Sequence, residues 1–222
     1  MRPASVAAVE TLSPHFRLVD LEGDALRDVV WAVGQKVQVA MGTGLNARTY
    51  TPMSRDTDRG GTRILTFSHG DGPGSRWAGG LVVGDACQLF GPRRSLDLSG
   101  LETAIVLFGD ETSFGLGAAL RDSPLGGGAT YVFEASDLAE SRAVLEAIGL
   151  GDATLIERVA DDAHLAGTET ELARLAAGGA HFDITGKASS IQQMSRTLTA
   201  AGFESARVKA KAYWAPGKTG LD

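Results

Sequence analysis

Arg48-Thr49-Tyr50-Thr51 combines residue types whose spacing suits ligand chemistry. In an extended strand, Arg48 and Tyr50 fall on one face and Thr49 and Thr51 on the other. A guanidinium grips a diphosphate bidentately. A tyrosine ring beside it can cover a flat heterocycle such as a flavin, and a threonine hydroxyl can hydrogen-bond that ring's edge. A plain amphipathic strand accounts for the same four residues equally well.

His69-Gly70-Asp71-Gly72-Pro73-Gly74-Ser75-Arg76-Trp77-Ala78 is the second candidate. Its glycines free the backbone, and Ser75 stands at a predicted helix start. Free N–H groups and the positive end of the dipole can meet an anion there. Ser75 as an ordinary helix cap is the structural alternative. The glycine spacing mimics dinucleotide fingerprints only loosely, because it does not follow the first strand of a βαβ unit.

Phe108-Gly109-Asp110-Glu111-Thr112-Ser113-Phe114-Gly115 is the third. It falls where a predicted buried strand ends and a helix begins, which is where open parallel sheets bind ligands. Glu111 occupies the position where a hydrolase elbow around Ser113 needs its first glycine, so a serine hydrolase is a poor reading. Gly115-Leu116-Gly117 lies inside the following helix and does not count as a phosphate loop. Glu134, ending the next strand, suits a ribose hydroxyl and so NADH, whereas nearby Arg142 favours NADPH.

Two textures of sequence must position these residues. From Phe16 to Leu98, short apolar runs alternate at period two between glycine-rich breaks, as in Arg63-Ile64-Leu65-Thr66-Phe67. That pattern predicts an antiparallel sheet or small barrel, interrupted by one short helix near Ser75. The opening Met1-Arg2-Pro3-Ala4-Ser5 leads into a mixed polar segment and shows no apolar signal core. After Gly100, strands alternate with helices. Strands are predicted at Thr103–Phe108, Ala129–Phe133, Ala153–Glu157, His181–Ile184 and Arg207–Ala212. Helices are predicted at Phe114–Arg121, Leu138–Ile148, Glu169–Ala177 and Ser189–Ala201. Alternation of this kind predicts a mostly parallel sheet with helices on both faces. The boundary falls in Asp97–Leu101, giving a barrel domain at 1–98 and an α/β domain at 99–222.

Composition narrows the function classes. With 43% hydrophobic and 22% charged residues, the 222-residue chain reads as an ordinary soluble globular protein. A net charge of −6 argues against a nucleic-acid binder, and no apolar run is long enough for a membrane helix. Cys87 is the only cysteine, which excludes an intrachain disulfide and a cysteine-based metal site. Four scattered histidines argue against a histidine-rich metal centre, and a reducing cytoplasm is the expected compartment.

Taken in order, these segments resemble the siderophore-interacting protein family, FAD-dependent ferric-siderophore reductases of the ferredoxin-reductase superfamily. Arg48-Thr49-Tyr50-Thr51 resembles its R-x-Y-T motif, and His69 to Ala78 its H-x-x-G-P-x-S-x-W-A segment. Gly84-Asp85 and Gly91-Pro92-Arg93 are similar to its barrel turns, Gly109-Asp110-Glu111-Thr112 to its G-D-E-T, and Tyr213-Trp214-Ala215-Pro216-Gly217-Lys218 to its closing segment. The resemblance implies a ferredoxin-reductase-like fold, with an antiparallel flavin-binding barrel followed by a parallel-sheet nucleotide domain. It implies FAD held by Arg48 and Ser75 at the pyrophosphate and by Tyr50 and Thr51 at the isoalloxazine. His69 and Trp77 would line the same site, which also takes in Thr49, Gly70 and Gly74. Gly109, Asp110, Glu111 and Thr112 would face the nicotinamide side.

The implied reaction carries electrons from NADPH or NADH through FAD to siderophore-bound iron(III), with no catalytic acid or base demanded. A ferredoxin is an alternative donor. Rival readings are a flavin reductase for another acceptor and a non-catalytic siderophore binder. Anionic ferric siderophores suit a basic rim, for which Arg93, Arg94, Lys209, Lys211 and Lys218 are candidates, although exposed basic residues are common. Two positions depart from the family pattern. Met53 stands where a second arginine is usual, leaving Arg55 to assist Arg48. Lys187, within Thr185-Gly186-Lys187-Ala188, replaces an acidic residue.

Overall fold

The computed structural model describes residues 1–41, 47–70, 72–98, 101 and 104–218. Asp71, Ser99, Gly100 and Thr103, which carry parts of the sequence reading, lie outside them. The chain divides into two compact units, Met1–Asp97 and Leu98–Asp222.

The first unit is a seven-stranded antiparallel sheet. Its strands are β1 (Arg2–Thr11), β2 (Phe16–Glu22), β3 (Gln35–Ala40), β4 (Ala47–Tyr50), β5 (Ser54–Asp56), β6 (Gly61–Phe67) and β7 (Ala86–Arg94). They pair in the order β4-β3-β7-β1-β2-β6-β5. The sheet is barrel-like but not closed, because β4 and β5 end the order without pairing to each other. Alternation explains the core: Val6, Val19, Leu21, Val37, Val39, Ile64 and Leu89 point inward from successive strands.

The sequence reading starts its strands at Phe16, yet β1 precedes them and lies in the middle of the sheet, between β7 and β2. Ala4 and Val6 face the core from it. Pro3 and the surrounding small residues mask that strand locally, and only pairing on both sides makes it one.

Helix α1 (Pro73–Gly80) is the single α-helix of this unit among the described residues. Gly72, not Ser75, takes the N-cap, and Pro73 opens the helix where its missing N–H costs nothing. At the far end, Arg17 of β2 donates to the Ala78 and Gly79 carbonyls at 3.0 and 2.8 Å. Those bonds satisfy two orphan acceptors and place a cation at the negative end of the dipole. One side chain therefore anchors α1 to the sheet.

The second unit holds the parallel strands β8 (Ile105–Gly109), β9 (Thr130–Ala135), β10 (Thr154–Glu157), β11 (His181–Lys187) and β12 (Val208–Trp214), in the order β10-β9-β8-β11-β12. Helices α2 (Phe114–Arg121), α3 (Leu138–Ala147), α4 (Leu165–Ala177) and α5 (Ala188–Ala200) connect them. Helix α4 begins a turn earlier than the sequence reading placed it. Phe108, Phe182, Ile184, Leu172, Met194 and Leu198 form one core cluster. Gly117 brings α2 onto the sheet: a Cβ there would stand 2.9 Å from Leu150 Cδ1 and 3.0 Å from Phe133 Cζ. No helix among the described residues is long and apolar enough to cross a membrane.

Candidate functional site

In the antiparallel unit, β4 pairs with β3 through Val37↔Tyr50, Gln38↔Thr49 and Val39↔Arg48. Arg48 and Tyr50 alternate along β4 onto one face, and both meet α1. The Arg48 side chain lies across Gly74, where a Cβ would stand 3.2 Å from its Cγ and 3.3 Å from its Nε. Any side chain at position 74 would press on the guanidinium stem. The Tyr50 and Trp77 rings lie 5.9 Å apart at 33°, both packed on the core. Burial pushes the Tyr50 phenol above its ordinary value, with Arg48 opposing.

Arg48 Nη1 donates to the Ala47 carbonyl at 2.9 Å, and among the described residues no carboxylate pairs with it. Gly72, the N-cap, and Gly70, at φ +67°, face open space in which an added Cβ would meet nothing within 4 Å. The first-turn N–H groups of α1 therefore look into an open cradle beside an uncompensated guanidinium. That donor set fits a diphosphate.

Ser75 sits in the first turn and donates to the His69 carbonyl at a long 3.4 Å, while the exposed His69 ring stands 5.5 Å from Phe67. Thr49 Oγ1 is buried without a hydrogen-bond partner among the described residues, and Thr51 lies half-buried just past β4. The open glycine cradle and the guanidinium fit the diphosphate of a dinucleotide, while Thr49 lies on the opposite face of β4 from Arg48. Arg55 lies exposed on β5, and the Met53 amide donates to the Arg63 carbonyl.

In the parallel unit, strand order reverses between β8 and β11, and the third candidate segment sits at that point. Its carboxylates are turned inward. Asp110 is fully buried and accepts from Trp214 Nε1 at 2.6 Å, from the Thr112 amide at 2.9 Å and from the Thr112 hydroxyl. Glu111 accepts from the Ser136 amide and hydroxyl, each at 2.7 Å, and from Arg158 Nη2 at 2.5 Å. Gly109 is buried against Ser113, and Thr112 is half-buried.

Glu134, read as a ribose ligand, is also buried. It accepts from Ser190 Oγ at 2.8 Å and bonds His164 Nε2 at 2.6 Å. Arg142 donates to the Gly151 and Ala153 carbonyls, and Lys187 Nζ to Asp162 Oδ1 at 2.6 Å. Arg158 ties the cluster together, with Nη1 3.8 Å from Asp110 Oδ2 and 3.7 Å from Glu134 Oε1, and its guanidinium 5.7 Å from the Trp214 ring. Burial pushes the Asp110 carboxyl up to about 6, against hydrogen bonds from Thr112 and Trp214 and the charge of Arg158.

Sequence reasoning missed Arg158, Asp162 and His164. They fall in the connection after β10, where no motif or periodicity marks them. Their position past the carboxyl end of a parallel strand was the only available signal.

The basic candidates divide between the units. Arg93 and Arg94 end β7, opposite Lys36 and Gln35 of β3, and Arg94 reaches Asp97 at 3.7 Å. Lys209 and Lys211 share one face of the edge strand β12, and Lys218 is exposed beyond it. Lys209 pairs in register with Asp183 of β11. Asp183 is buried, and neither carboxylate oxygen has a hydrogen-bond partner among the described residues.

Burial pushes the Asp183 carboxyl up to about 6, with Lys209 opposing. An unfolded aspartate titrates near ~3.9, so between about pH 4 and 6 the native chain keeps a proton that the unfolded chain releases. This group therefore lowers stability as pH rises through that window. Asp183→Asn is expected to gain about 2–3 kcal/mol on the wild type between pH 4 and pH 7. Urea unfolding at both pH values measures it, and a pH-independent difference would show that Asp183 does not titrate there.

The fold is that of ferredoxin-reductase-like flavoproteins. Within that class, residues 38–96 match the family model of the siderophore-interacting FAD-binding domain. A siderophore-interacting protein from Aeromonas hydrophila, SipS, superposes with a TM-score of 0.77 at 21% identity, over 98% of this chain and 93% of that one. A siderophore utilization protein from T. fusca gives 0.76 at 22% identity, over 100% and 95%. The flavohem-like FAD/NAD-binding domain of a Vibrio cholerae nitric oxide dioxygenase gives 0.69 at 16%, over 97% and 99%. No curated protein matches.

Proposed function

We propose that this chain is an FAD-dependent ferric-siderophore reductase that takes electrons from NADPH or NADH. The observation that carries the reading is Arg48 lying across Gly74 beside the open first turn of α1, inside the segment that matches the siderophore-interacting FAD-binding domain. Bound FAD supplies the conversion between a two-electron donor and a one-electron acceptor. The balanced reaction is one hydride equivalent for two iron(III), giving NAD(P)⁺, a proton and two iron(II).

Arg48 and the α1 amides hold the diphosphate, Ser75 supports the same turn, and Tyr50 with Trp77 bounds the ring site. Thr49 and Thr51 supply hydroxyls, with His69, Gly70 and Gly74 shaping the cradle. The exposed cations Arg93, Arg94 and Lys218 and the half-buried Lys209 and Lys211 supply attraction for an anionic ferric complex. Iron(II) is the softer ion, so hard oxygen ligands hold it less tightly and the metal is released.

The test is anaerobic reduction of the FAD-loaded protein with NADPH and NADH separately, followed by a panel of ferric siderophores. Flavin bleaching followed by reoxidation on adding an iron complex is expected. Bleaching that no iron complex reverses would leave a flavin reductase serving another acceptor.

A further inference from the structure

The connection between β10 and α4 crosses the carboxyl ends of the parallel strands and is tied there at three points. Arg158 reaches Glu111 at 2.5 Å and stands near Asp110 and Glu134. Asp162 accepts from Lys187 Nζ at 2.6 Å and from Ser189 Oγ at 2.9 Å. His164 reaches Glu134 at 2.6 Å, while its Nδ1 accepts from the Val159 amide at 3.3 Å. Around these anchors the loop is open: Val159, Ala160, Asp161 and Ala163 are exposed. Asp162 has a φ of 60°, a left-handed conformation that non-glycine residues rarely adopt.

The switch point beneath is filled by the chain itself. Asp110 presses on Gly186 so closely that a Cβ there would stand 2.5 Å from its Cγ. The cations that could receive a nucleotide's phosphates on this crest are both occupied by acids, Arg158 by Glu111 and Lys187 by Asp162. The two attachments differ in strength. Arg158, itself 13% exposed, is bound among three buried carboxylates, whereas Asp162 is 20% exposed and its ion pair is with Lys187. Asp162 is therefore the tether that gives way first.

We propose that the 158–164 loop is a latch in which Asp162 is an internal competitor for the phosphate of the nicotinamide nucleotide. Closed, it withholds Lys187; a nucleotide phosphate displaces the Asp162 carboxylate from Lys187 and Ser189, so one anion replaces another while Arg158 stays in place. The inference rests on the reading that this unit binds NAD(P)H, and it assigns Lys187 as the phosphate contact.

Asp162→Asn tests it in the FAD-loaded full chain, because asparagine tolerates the left-handed conformation and keeps the side-chain size. NADP⁺ is the non-reducing probe, followed by calorimetry and by hydrogen exchange across 158–164. In the wild type, NADP⁺ is expected to increase exchange in this loop. Asp162→Asn is expected to exchange fast without ligand and to bind NADP⁺ about 5-fold or more tighter. Lys187→Gln should also free the loop yet weaken NADP⁺ binding.

Unchanged or weaker binding by Asp162→Asn, or wild-type loop protection on adding NADP⁺, would overturn the latch. A wild type reduced by NADPH alongside such a result sinks the latch alone. If neither nicotinamide nucleotide binds or reduces any of the three proteins, the donor reading falls with it.

Discussion

Arg158→Met is expected to lower the stability of the parallel-sheet unit by about 3–5 kcal/mol, the range found when one partner of a buried ion pair is removed. Asp110, Glu111 and Glu134 stay buried in the variant, with exposures of 0%, 3% and 1%. Among the described residues, the guanidinium is the one cationic side chain whose ion-pair contacts reach all three. Ser136, Ser190, Thr112 and Trp214 satisfy some of the oxygens but supply no countercharge. Arg174, paired with Glu171 in open water on α4, is the internal contrast, and its replacement should leave stability unchanged within error. Denaturant unfolding followed by hydrogen exchange in β8, β9 and β11 measures the effect. A loss no larger than that of Arg174→Met would mean that Arg158 does not stabilise the three buried carboxylates.

Arg48→Ala is expected to weaken FAD binding by about 30-fold or more, since truncating one partner of a desolvated charge pair costs roughly 2–5 kcal/mol. Arg48 has no acidic partner among the described residues, and its side chain lies over Gly74 at the open end of α1. Its removal leaves the α1 amides as the remaining donors to the diphosphate. The core around Val37, Val39 and Leu89 does not depend on it, so the folded antiparallel unit should persist. Flavin content after purification and re-titration with FAD read the change. Full FAD occupancy in the variant would remove Arg48 from the site.

Much of the barrel-side site is legible because it is local in sequence. Strand alternation alone pairs Arg48 with Tyr50, and a glycine–proline–glycine turn announces a helix start with an open first turn. The N-cap is nonetheless Gly72, because Pro73 already opens the helix and leaves Ser75 inside its first turn. The parallel unit is equally legible as alternating strands and helices. Its predicted helix Phe114–Arg121 coincides with α2, since a buried helix ending at Arg121 is set by a continuous apolar run.

What sequence cannot show is how polar side chains distant along the chain share one desolvated space. Asp110, Glu111, Glu134, Arg158, His164 and Trp214 come from four separate connections and strand ends, and none is within hydrogen-bonding sequence distance of all the others. Motif spacing alone makes Asp110 and Glu111 look like outward ligands. Only the folded sheet turns their carboxylates towards Arg158 and Trp214, because unpaired charges cannot be buried and these are the partners that the strand ends bring within reach. Local alternation and turn chemistry therefore determined the two units and the Arg48–Tyr50 face. Tertiary packing alone decided that the carboxyl ends of the parallel strands close on the protein's own charges, and that Lys187 is held by Asp162.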